Sequence, residues 1–362
     1  MKILVLTNND IGLYNFRKEL LQQLIQAGNE VYISLPYGEK VKLLEDMGCI
    51  YVKSDLDRRG INPLTDIRLF IRYLCIIKSI KPDKVITYTI KPNIYGCLAC
   101  RLKKVKAYAN ITGLGTAFQG DGLLTSLVTC MYKIAFKKVE KVFFENKGNR
   151  DIIVHKNIIE KERTCCLNGA GVNLEEYPFT EYPEEGSIRF LFIGRVMKEK
   201  GIDELFEAAE RIKQKYENVY FDIVGPMEDH YEDKLRYYEE KKVITYHGLQ
   251  TDVKPFIRES HCFVLPSYHE GMANTLLESG AMGRPLITSN IHGCLEAVED
   301  GKTGYLCKVK DADDLYIKME QFIELPYQKK KEMGKLSHEH VSDVFDKKKV
   351  VAETIREIMR YE

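Results

Sequence analysis

Hydrophobic positions along the first half of the chain follow two alternating patterns. Short runs of β-branched and apolar residues recur, and longer segments with apolar residues at helical spacing lie between them. The short runs predict strands at Ile3–Leu6, Val31–Leu35, Ile50–Val52, Val85–Tyr88, Tyr108–Ile111, Val142–Glu145 and Thr164–Leu167. The longer segments predict helices at Tyr14–Ala27, Lys40–Met47, Pro63–Ile80, Ile94–Leu102 and Leu123–Lys138. This alternation is typical of βαβ units and a parallel sheet.

Glycine and proline interrupt the alternation between residues 169 and 186, and we interpret this segment as a linker. The alternation then restarts, with strands predicted at Ile188–Ile193, Val219–Val224, Val243–Tyr246, Cys262–Leu265 and Leu286–Ser289. We therefore expect one Rossmann-like domain at residues 1–168 and a second at 187–340, followed by a helical segment at 341–362. Two such sheets in tandem place a ligand cleft between the domains, at the carboxyl ends of the strands.

The net charge of the 362 residues is +1, which argues against a nucleic-acid-binding protein. This sum conceals an asymmetry between the two halves. Residues 1–168 hold 27 Lys+Arg and 16 Asp+Glu, whereas the remainder holds 27 and 37. The basic first half is therefore where we expect an anionic partner or a membrane surface.

The ten cysteines and the N-terminus indicate a cytoplasmic protein. Most cysteines lie inside apolar runs, where a free thiol packs as a small hydrophobic group, so a disulfide framework is not expected. Cys97-x-x-Cys100 has the spacing of a metal or redox pair, but no second pair accompanies it and core packing is the simpler interpretation. The segment MKILVLTNND predicts a strand and a turn, not a signal peptide, and no uncharged apolar stretch approaches ~20 residues.

The first candidate functional segment is Gly194-Arg195-Val196-x-x-x-Lys200-Gly201, between a predicted strand and a predicted helix. Glycines let the backbone approach a ligand, and the two cations lie where a parallel sheet exposes its loops. They could bind a diphosphate, or they could be solvated surface charges. The spacing of a P-loop is absent.

The second candidate segment is residues 266–278, PSYHEGMANTLLE, in which a buried strand leads through a glycine turn into a helix. We predict that Asn274 caps this helix, whose N-terminus would then attract an anion. Glu270 lies in the turn and Glu278 about one turn into the helix, so both can face one cleft. Ionised carboxylates accept hydrogen bonds from vicinal sugar hydroxyls. A carboxylate near a helix start also stabilises the helix, which is the alternative explanation for Glu278.

Taken together, these segments resemble the donor half of the family 4 retaining glycosyltransferases, which have the GT-B fold. The resemblance runs from about residue 187 to 306 and includes Gly283-x-Pro285, Glu296 and Asp300-Gly301-x-x-Gly304. It implies two Rossmann-like α/β/α domains that face a central cleft, an N-terminal domain for the acceptor, and C-terminal helices that return to that domain.

The resemblance also implies roles for individual residues. Glu278 would hold the ribose of a UDP-sugar, Arg195 and Lys200 its diphosphate, and Glu270 the donor sugar, so that Arg195, Lys200 and Glu270 form the catalytic group. The remaining donor-binding candidates are Gly12, Gly194, His247, Gly271, Met272, Asn274 and Thr275. No cofactor or metal is required, although Asp55-Leu56-Asp57 has the form of a DxD metal motif.

The segment 266–296 is most similar to a bacterial subgroup that assembles capsule, O-antigen and N-glycan precursors. N-terminal segments of that subgroup also recur here: Tyr14-Asn15-Phe16-Arg17, Asp57-Arg58-Arg59-Gly60-x-Asn62-Pro63, Lys91-Pro92-Asn93 and Asn110-Ile111-Thr112-Gly113-Leu114-Gly115. The resemblance implies a polyprenyl-diphosphate-linked sugar as acceptor. The candidates on the acceptor side are Arg17, Arg58, Arg59, Lys91, Gly113 and Gly115, and the arginines could equally be solvated.

Two positions depart from the family pattern. Many members carry a histidine after the fourth N-terminal strand, where this chain has Thr89-Ile90-Lys91, so the resemblance identifies no general base. The first turn has Gly12 alone where many relatives have a glycine pair. Retention in this family is usually explained by front-face attack through an oxocarbenium-like state, which needs charge stabilisation on the leaving diphosphate but no protein nucleophile.

Two segments in the basic half combine apolar residues with lysine and arginine, Pro63–Lys81 and Gly122–Lys141. They are either core-packed helices with a solvated basic edge or a face that contacts the anionic inner leaflet of the cytoplasmic membrane.

Two other functions fit parts of the pattern. A sugar-nucleotide epimerase shares the fold but lacks this motif set, and a non-catalytic sugar-nucleotide-binding subunit would explain the missing histidine. A nicotinamide dehydrogenase is disfavoured because no Gly-x-Gly-x-x-Gly follows the first strand.

Overall fold

Two parallel sheets, of seven and six strands, each form the centre of one of the two units of the chain. The structure, a computed structural model, describes residues 1–55, 62–115, 118, 122–228 and 230–360. One unit comprises Met1–Ala170 with Lys348–Glu362, and the other comprises Gly171–Lys347. Most of the segment interpreted as a linker therefore belongs to the second unit.

The first unit has the strand order β3-β2-β1-β4-β5-β6-β7, with all pairs parallel. Its strands are β1 (Lys2–Leu6), β2 (Glu30–Leu35), β3 (Ile50–Lys53), β4 (Lys84–Tyr88), β5 (Lys106–Ile111), β6 (Lys141–Phe144) and β7 (Thr164–Cys166). Its first helices are α1 (Asp10–Gln26), α2 (Val41–Asp46), α3 (Pro63–Ile80), α4 (Cys97–Lys103), α5 (Leu123–Phe136) and α6 (Lys147–His155). A π-helical turn, Pro92–Gly96, precedes α4.

The second unit has the order β10-β9-β8-β11-β12-β13, again with all pairs parallel. Its strands are β8 (Ile188–Ile193), β9 (Val219–Val224), β10 (Thr245–Tyr246), β11 (Cys262–Leu265), β12 (Leu286–Ser289) and β13 (Gly304–Cys307). Its helices are α7 (Ile202–Lys215), α8 (Glu232–Glu240), α9 (Lys254–Glu259), α10 (Asn274–Ala281), α11 (Ala312–Glu324) and α12 (Tyr327–Phe345). The last helix of the chain, α13 (Lys347–Met359), follows.

The strand order reverses at β1 in the first sheet and at β8 in the second. In the second sheet, Phe190 of β8 is paired with Phe221 of β9 on one side and with Cys262 of β11 on the other. The loops that follow β8 and β11 therefore diverge at the carboxyl edge of the sheet, which is where open α/β sheets bind ligands.

Continuous apolar strands make up the core of each unit, as a sheet covered by helices on both faces requires. Cys97 and Cys100 are buried free thiols, and burial raises the pKa of Cys97 to about 12. The pair therefore packs as part of the core. None of the described helices combines the length and hydropathy needed to cross a bilayer.

The C-terminal helix returns to the first unit, as the resemblance implied. Val350, Val351 and Ile358 of α13 join the hydrophobic cluster formed by β1, β2 and α1. Lys84 Nζ donates to the carbonyl of Ile358 at 3.1 Å, and Lys141 Nζ pairs with Glu357 at 3.1 Å with both side chains 7% exposed.

Three details differ from the sequence predictions. Strand β13 was not predicted, because GYLC lies among turn residues and is only four residues long. Strand β10 is limited to two residues of the predicted four. Most of the segment predicted as a linker is part of the second unit. The buried guanidinium of Arg284 donates to the carbonyls of Thr180 and Glu181 in this segment, both at 2.9 Å.

Candidate active site

Close packing between two loops organises the switch point of the second sheet. Gly201, at the end of the β8–α7 loop, has φ +69° and lies so near Pro266 that a Cβ atom would be 2.0 Å from the carbonyl oxygen of Pro266. Only glycine meets both conditions. The β8–α7 loop is thereby held against the β11–α10 loop.

This packing brings together Lys200 and Glu270, two of the three predicted catalytic residues. Lys200 Nζ forms an ion pair with Glu270 Oε1, and the side chains are 19% and 12% exposed. The hydroxyl of Ser267, which is fully buried, donates to the same carboxylate oxygen at 2.8 Å. Sequence reasoning gave no role to Ser267, although its position three residues before Glu270 at the strand end was visible. An ammonium group and an oriented carboxylate thus lie side by side at the switch point.

A third loop supports the turn that carries Glu270. Gly293 has φ +92°, and a Cβ atom there would lie 2.7 Å from the carbonyl oxygens of both Glu270 and Gly271. The amide of Ala273 donates to the carbonyl of Gly293 at 2.9 Å. Glu296 in turn accepts from the amide of Gly293 at 2.7 Å. Residues 270–273 therefore rest on a glycine turn that the Glu296 carboxylate holds in place.

The prediction that Asn274 caps helix α10 is wrong. The helix begins at Asn274 itself, with Ala273 in the extended N-cap position and no side-chain cap. A residue already inside the first turn lacks the extended backbone from which a cap side chain reaches back to the helix amides. The Asn274 Oδ1 atom is buried and accepts no hydrogen bond from the described residues. Thr275 and Asn274 are partly exposed, and Met272 is buried.

Glu278 lies one turn into α10, as predicted, and is partly exposed. Removal from water raises the pKa of its carboxyl to about 8, an effect that Lys347 opposes and Glu176 reinforces. The group is therefore largely protonated at neutral pH in the absence of a ligand.

Arg195 and His247 each have an acidic partner that sequence reasoning missed. Arg195, 46% exposed, pairs with Glu228 at 2.9 Å, and this contact is supported by the backbone bond from Glu228 to the carbonyl of Val196. His247 Nε2 lies 2.7 Å from Asp222 Oδ1, at the carboxyl half of β9. Gly194 follows β8, and its carbonyl would lie 1.9 Å from a Cβ atom at Gly225.

The first unit has a corresponding edge, where Gly12 and Arg17 lie on α1. The amide of Gly12, which was a candidate to bind the donor phosphate, donates to Asn9 Oδ1 at 2.6 Å. Asn9 is thus the N-cap of α1. Arg17 pairs with Glu145 at 2.5 Å and lies 5.0 Å from the ring centre of Tyr88. Both charged side chains are largely buried, so Arg17 is not the solvated residue that one of the two interpretations allowed.

Lys91 follows β4 and is held by Asp66 of α3 at 2.8 Å. The hydroxyl of Tyr95 donates to the other carboxylate oxygen of Asp66 at 2.9 Å. Thr89, which stands where relatives have histidine, has φ +72°, and its buried hydroxyl has no hydrogen-bond partner among the described residues. A β-branched residue in this conformation is strained.

The other acceptor-side candidates are located as follows. Gly115 has φ +62°, and Gly113 lies just beyond β5. Arg58 and Arg59, together with Leu56 and Asp57 of the DxD-like segment, lie outside the described residues.

Comparisons with known proteins agree with this architecture. The family model "Glycosyl transferases group 1" matches residues 175–340, and "Glycosyl transferase 4-like" matches residues 2–146. The N,N'-diacetylbacillosaminyl-diphospho-undecaprenol alpha-1,3-N-acetylgalactosaminyltransferase of Campylobacter jejuni is 26% identical over 343 residues, covering 90% of each chain. The UDP-Gal:alpha-D-GlcNAc-diphosphoundecaprenol alpha-1,3-galactosyltransferase of Escherichia coli is 27% identical over 276 residues, covering 70% of each.

The fold itself is shared with solved structures. Anabaena HepE in complex with UDP and glucose matches with a TM-score of 0.81 at 14% identity, covering 99% of this chain and 100% of that one. The predicted GT-B fold is thereby confirmed. Glycosyltransferase models match both halves of the chain, residues 2–146 and 175–340, so the protein is a glycosyltransferase of the GT-B fold whose two domains match the 4-like and group 1 models.

Proposed function

We propose that this enzyme transfers a hexose or N-acetylhexosamine from a UDP-sugar to a sugar carried on a polyprenyl diphosphate, with retention and an α-linkage. Such a reaction would serve capsule, O-antigen or glycan-precursor assembly. The observation that carries the proposal is the Lys200–Glu270–Ser267 cluster at the switch point of the second sheet. Support for the acceptor comes from the relatives named above, both of which act on a diphospho-undecaprenol-linked sugar.

The proposed mechanism depends on charge. As the bond to the UDP leaving group breaks, negative charge develops on the diphosphate, and Arg195, Lys200 and the N-terminus of α10 stabilise it. Without a ligand, both cations are paired with carboxylates, Glu228 and Glu270. A bound diphosphate would replace these carboxylates as the partner of Arg195 and Lys200. Glu270, still oriented by the hydrogen bond from Ser267, could then accept hydrogen bonds from donor-sugar hydroxyls. The leaving diphosphate then takes the acceptor proton.

The test is a panel of UDP-sugars offered with N-acetylglucosaminyl-diphospho-polyprenol and related acceptors, read by mass spectrometry, with NMR of the product for its anomeric configuration. Arg195→Ala and Glu278→Ala should each lower transfer by about 10²-fold or more. Arg211→Ala is the matched control, because Arg211 pairs with Asp313 on the surface of the same unit. Near-normal turnover in both site variants, or a β-linked product, would contradict the proposal, and sugar-nucleotide binding without UDP release would indicate a non-catalytic subunit.

We further propose that the first unit rests on the inner face of the cytoplasmic membrane. Helices α3 and α5 both pack on α4 and expose apolar side chains, among them Leu64 (66% exposed) and Leu127 (57%). Exposed lysines follow on α5 and just after it, at Lys133, Lys137 and Lys138. Flotation with vesicles should increase with the fraction of phosphatidylglycerol and fall in Leu64→Ser/Leu127→Ser. Binding that is equal on neutral and anionic vesicles would contradict this.

A further inference from the structure

The first unit contains a cavity of about 560 Å³ that the donor chemistry does not use. Its walls come from the carboxyl ends of β2, β3 and β4 and from the first turns of α3. The lining residues are Pro36, Lys53, Asp55, Thr65, Asp66, Arg68, Leu69, Arg72 and Lys91. Like the donor site, it lies at the carboxyl edge of a parallel sheet, where such folds bind ligands.

Among the described residues that line this cavity, four are cationic and two are carboxylates. Asp66 compensates Lys91 at 2.8 Å, and Asp55 lies 3.5 Å from Lys53. The two arginines have no carboxylate partner in the described part of the chain. One nitrogen of Arg72 donates to the carbonyl of Lys53 at 2.7 Å, which fixes its direction and leaves its other donors available.

The position of the arginines on α3 suggests what they bind. Arg68 and Arg72 are four residues apart, so they lie on the same side of the helix, one turn from each other. Beside them the exposed surface of α3 carries an apolar stripe, Leu64, Ile67 and Ile71. Two adjacent guanidinium groups can each bind a phosphate bidentately, and the neighbouring stripe suits hydrocarbon.

We infer that this cavity binds the diphosphate of a prenyl-diphosphate-linked acceptor, with Arg68 and Arg72 on its two phosphates and the first isoprene units along Leu64, Ile67 and Ile71. The inference rests on the proposed function and deepens it, since it assigns the acceptor's diphosphate to two arginines that lie outside the segments on which the family resemblance depends. Lys91, held by Asp66, would contribute the third positive charge.

The kinetic test uses a short-chain, water-soluble prenyl-diphosphate sugar, so that membrane binding plays no part. Arg68→Gln and Arg72→Gln should each raise the acceptor KM about tenfold or more while leaving the UDP-sugar KM and UDP-sugar hydrolysis unchanged. Arg68→Lys should recover only part of the affinity for the acceptor, because lysine keeps the positive charge but cannot bind a phosphate bidentately as the guanidinium does. Lys78→Gln is the control, since it removes one exposed charge from the same helix outside the cavity.

The binding test compares farnesyl diphosphate, farnesyl monophosphate and phosphatidylglycerol vesicles on the full-length protein. Tighter binding of the diphosphate than of the monophosphate, lost in Arg68→Gln and Arg72→Gln but kept in Lys78→Gln, supports the site. Equal losses in all three variants, or vesicle binding without diphosphate binding, overturn it. If transfer proceeds with an unchanged acceptor KM in both arginine variants, the site fails and the proposed function stands. If arginine-dependent diphosphate binding occurs but no sugar is transferred with any donor, the proposed function fails and the site stands.

Discussion

Ser267 is the residue that best shows how the candidate site is organised before a ligand arrives. Its buried hydroxyl donates to the Glu270 oxygen that also receives Lys200, so the carboxylate keeps its direction even if the lysine moves to a diphosphate. A group aimed in advance does not have to reorganise during the reaction, which is the main source of electrostatic catalysis.

Replacing Ser267 by alanine should therefore lower kcat/KM for transfer about tenfold, because one hydrogen bond to a charged group is lost. Ser260→Ala is a matched control: Ser260 is also fully buried in the second unit, but its hydroxyl donates to the carbonyl of Ile257. Both variants should lose a little thermal stability. If Ser260→Ala reduces transfer as much as Ser267→Ala, the effect comes from stability and not from the orientation of Glu270.

Glu278 gives a prediction on pH. Because desolvation raises its pKa to about 8, the carboxylate that would accept from ribose hydroxyls is a minor species at pH 6. The affinity for UDP, measured by calorimetry, should rise with pH by up to about tenfold per unit until about pH 8 and then level off. Glu278→Gln should bind UDP weakly, and its affinity should lack the part of the pH dependence that comes from Glu278. Any pH dependence caused by the titration of UDP itself is present in both proteins, so the comparison separates the two effects. The same slope in wild type and Glu278→Gln would contradict the assignment.

The same shift predicts the pH dependence of stability. A carboxyl whose pKa is higher in the folded than in the unfolded protein favours folding most at low pH, and this contribution is lost as the pH rises through about 8. Glu278→Gln should therefore raise Tm relative to wild type at pH 9 more than at pH 6. A Tm difference that is independent of pH would show that the carboxyl does not titrate in this range.

At the scale of elements, the contact between the two loops at the switch point depends on Gly201. Gly201→Ala would force its Cβ into the Pro266 carbonyl, so the β8–α7 loop must move and Lys200 with it. We expect a loss of several kcal/mol in stability and at least tenfold in transfer. Gly248→Ala is the control, since Gly248 has φ +64° but open space around it and should cost only about 1 kcal/mol. Similar losses in the two variants would show that φ, and not the close packing, requires glycine at 201.

The same elements show what the sequence can predict. Strand runs, helix periods and the glycine turns are local patterns, and most predicted strands are observed within one or two residues. Partnerships across the sheet are not local. Glu228 is 33 residues from Arg195, and Asp66 is 25 from Lys91, so neither pair is visible without the fold. The cap prediction at Asn274 is wrong by one residue, since Ala273 occupies the N-cap position of α10.

At the scale of the whole molecule, the chain passes from the first unit to the second after Ala170 and returns after Lys347. The two chain segments next to these boundaries are joined by backbone hydrogen bonds within the second unit. The amide of Val172 donates to the carbonyl of Phe345 at 2.8 Å, and the amide of Lys347 donates to the carbonyl of Val172 at 3.0 Å. The returning helix α13 then brings Glu357 to Lys141, at the start of β6. The C-terminal helix, whose Glu357 is acidic, is therefore joined to the rest of the basic first unit by a buried ion pair.

This pair gives a prediction for the stability of the first unit. Both side chains are almost fully buried, so Glu357→Leu leaves the Lys141 charge without its carboxylate and should lower the free energy of unfolding by about 3–5 kcal/mol. Lys141→Met should cost less, because Glu357 keeps a second cationic partner, Arg360, at 3.2 Å. The double variant removes both charges and should lose clearly less than the two single variants together. Urea denaturation followed by circular dichroism measures this cycle, and hydrogen exchange should show opening confined to α13 in each single variant.

The exposed Glu353–Arg356 pair of the same helix is the control, because its loss should cost about 1 kcal/mol or less. Strictly additive losses across the cycle would mean that Lys141 and Glu357 stabilise the fold independently of each other, and that their ion pair does not hold α13 in place.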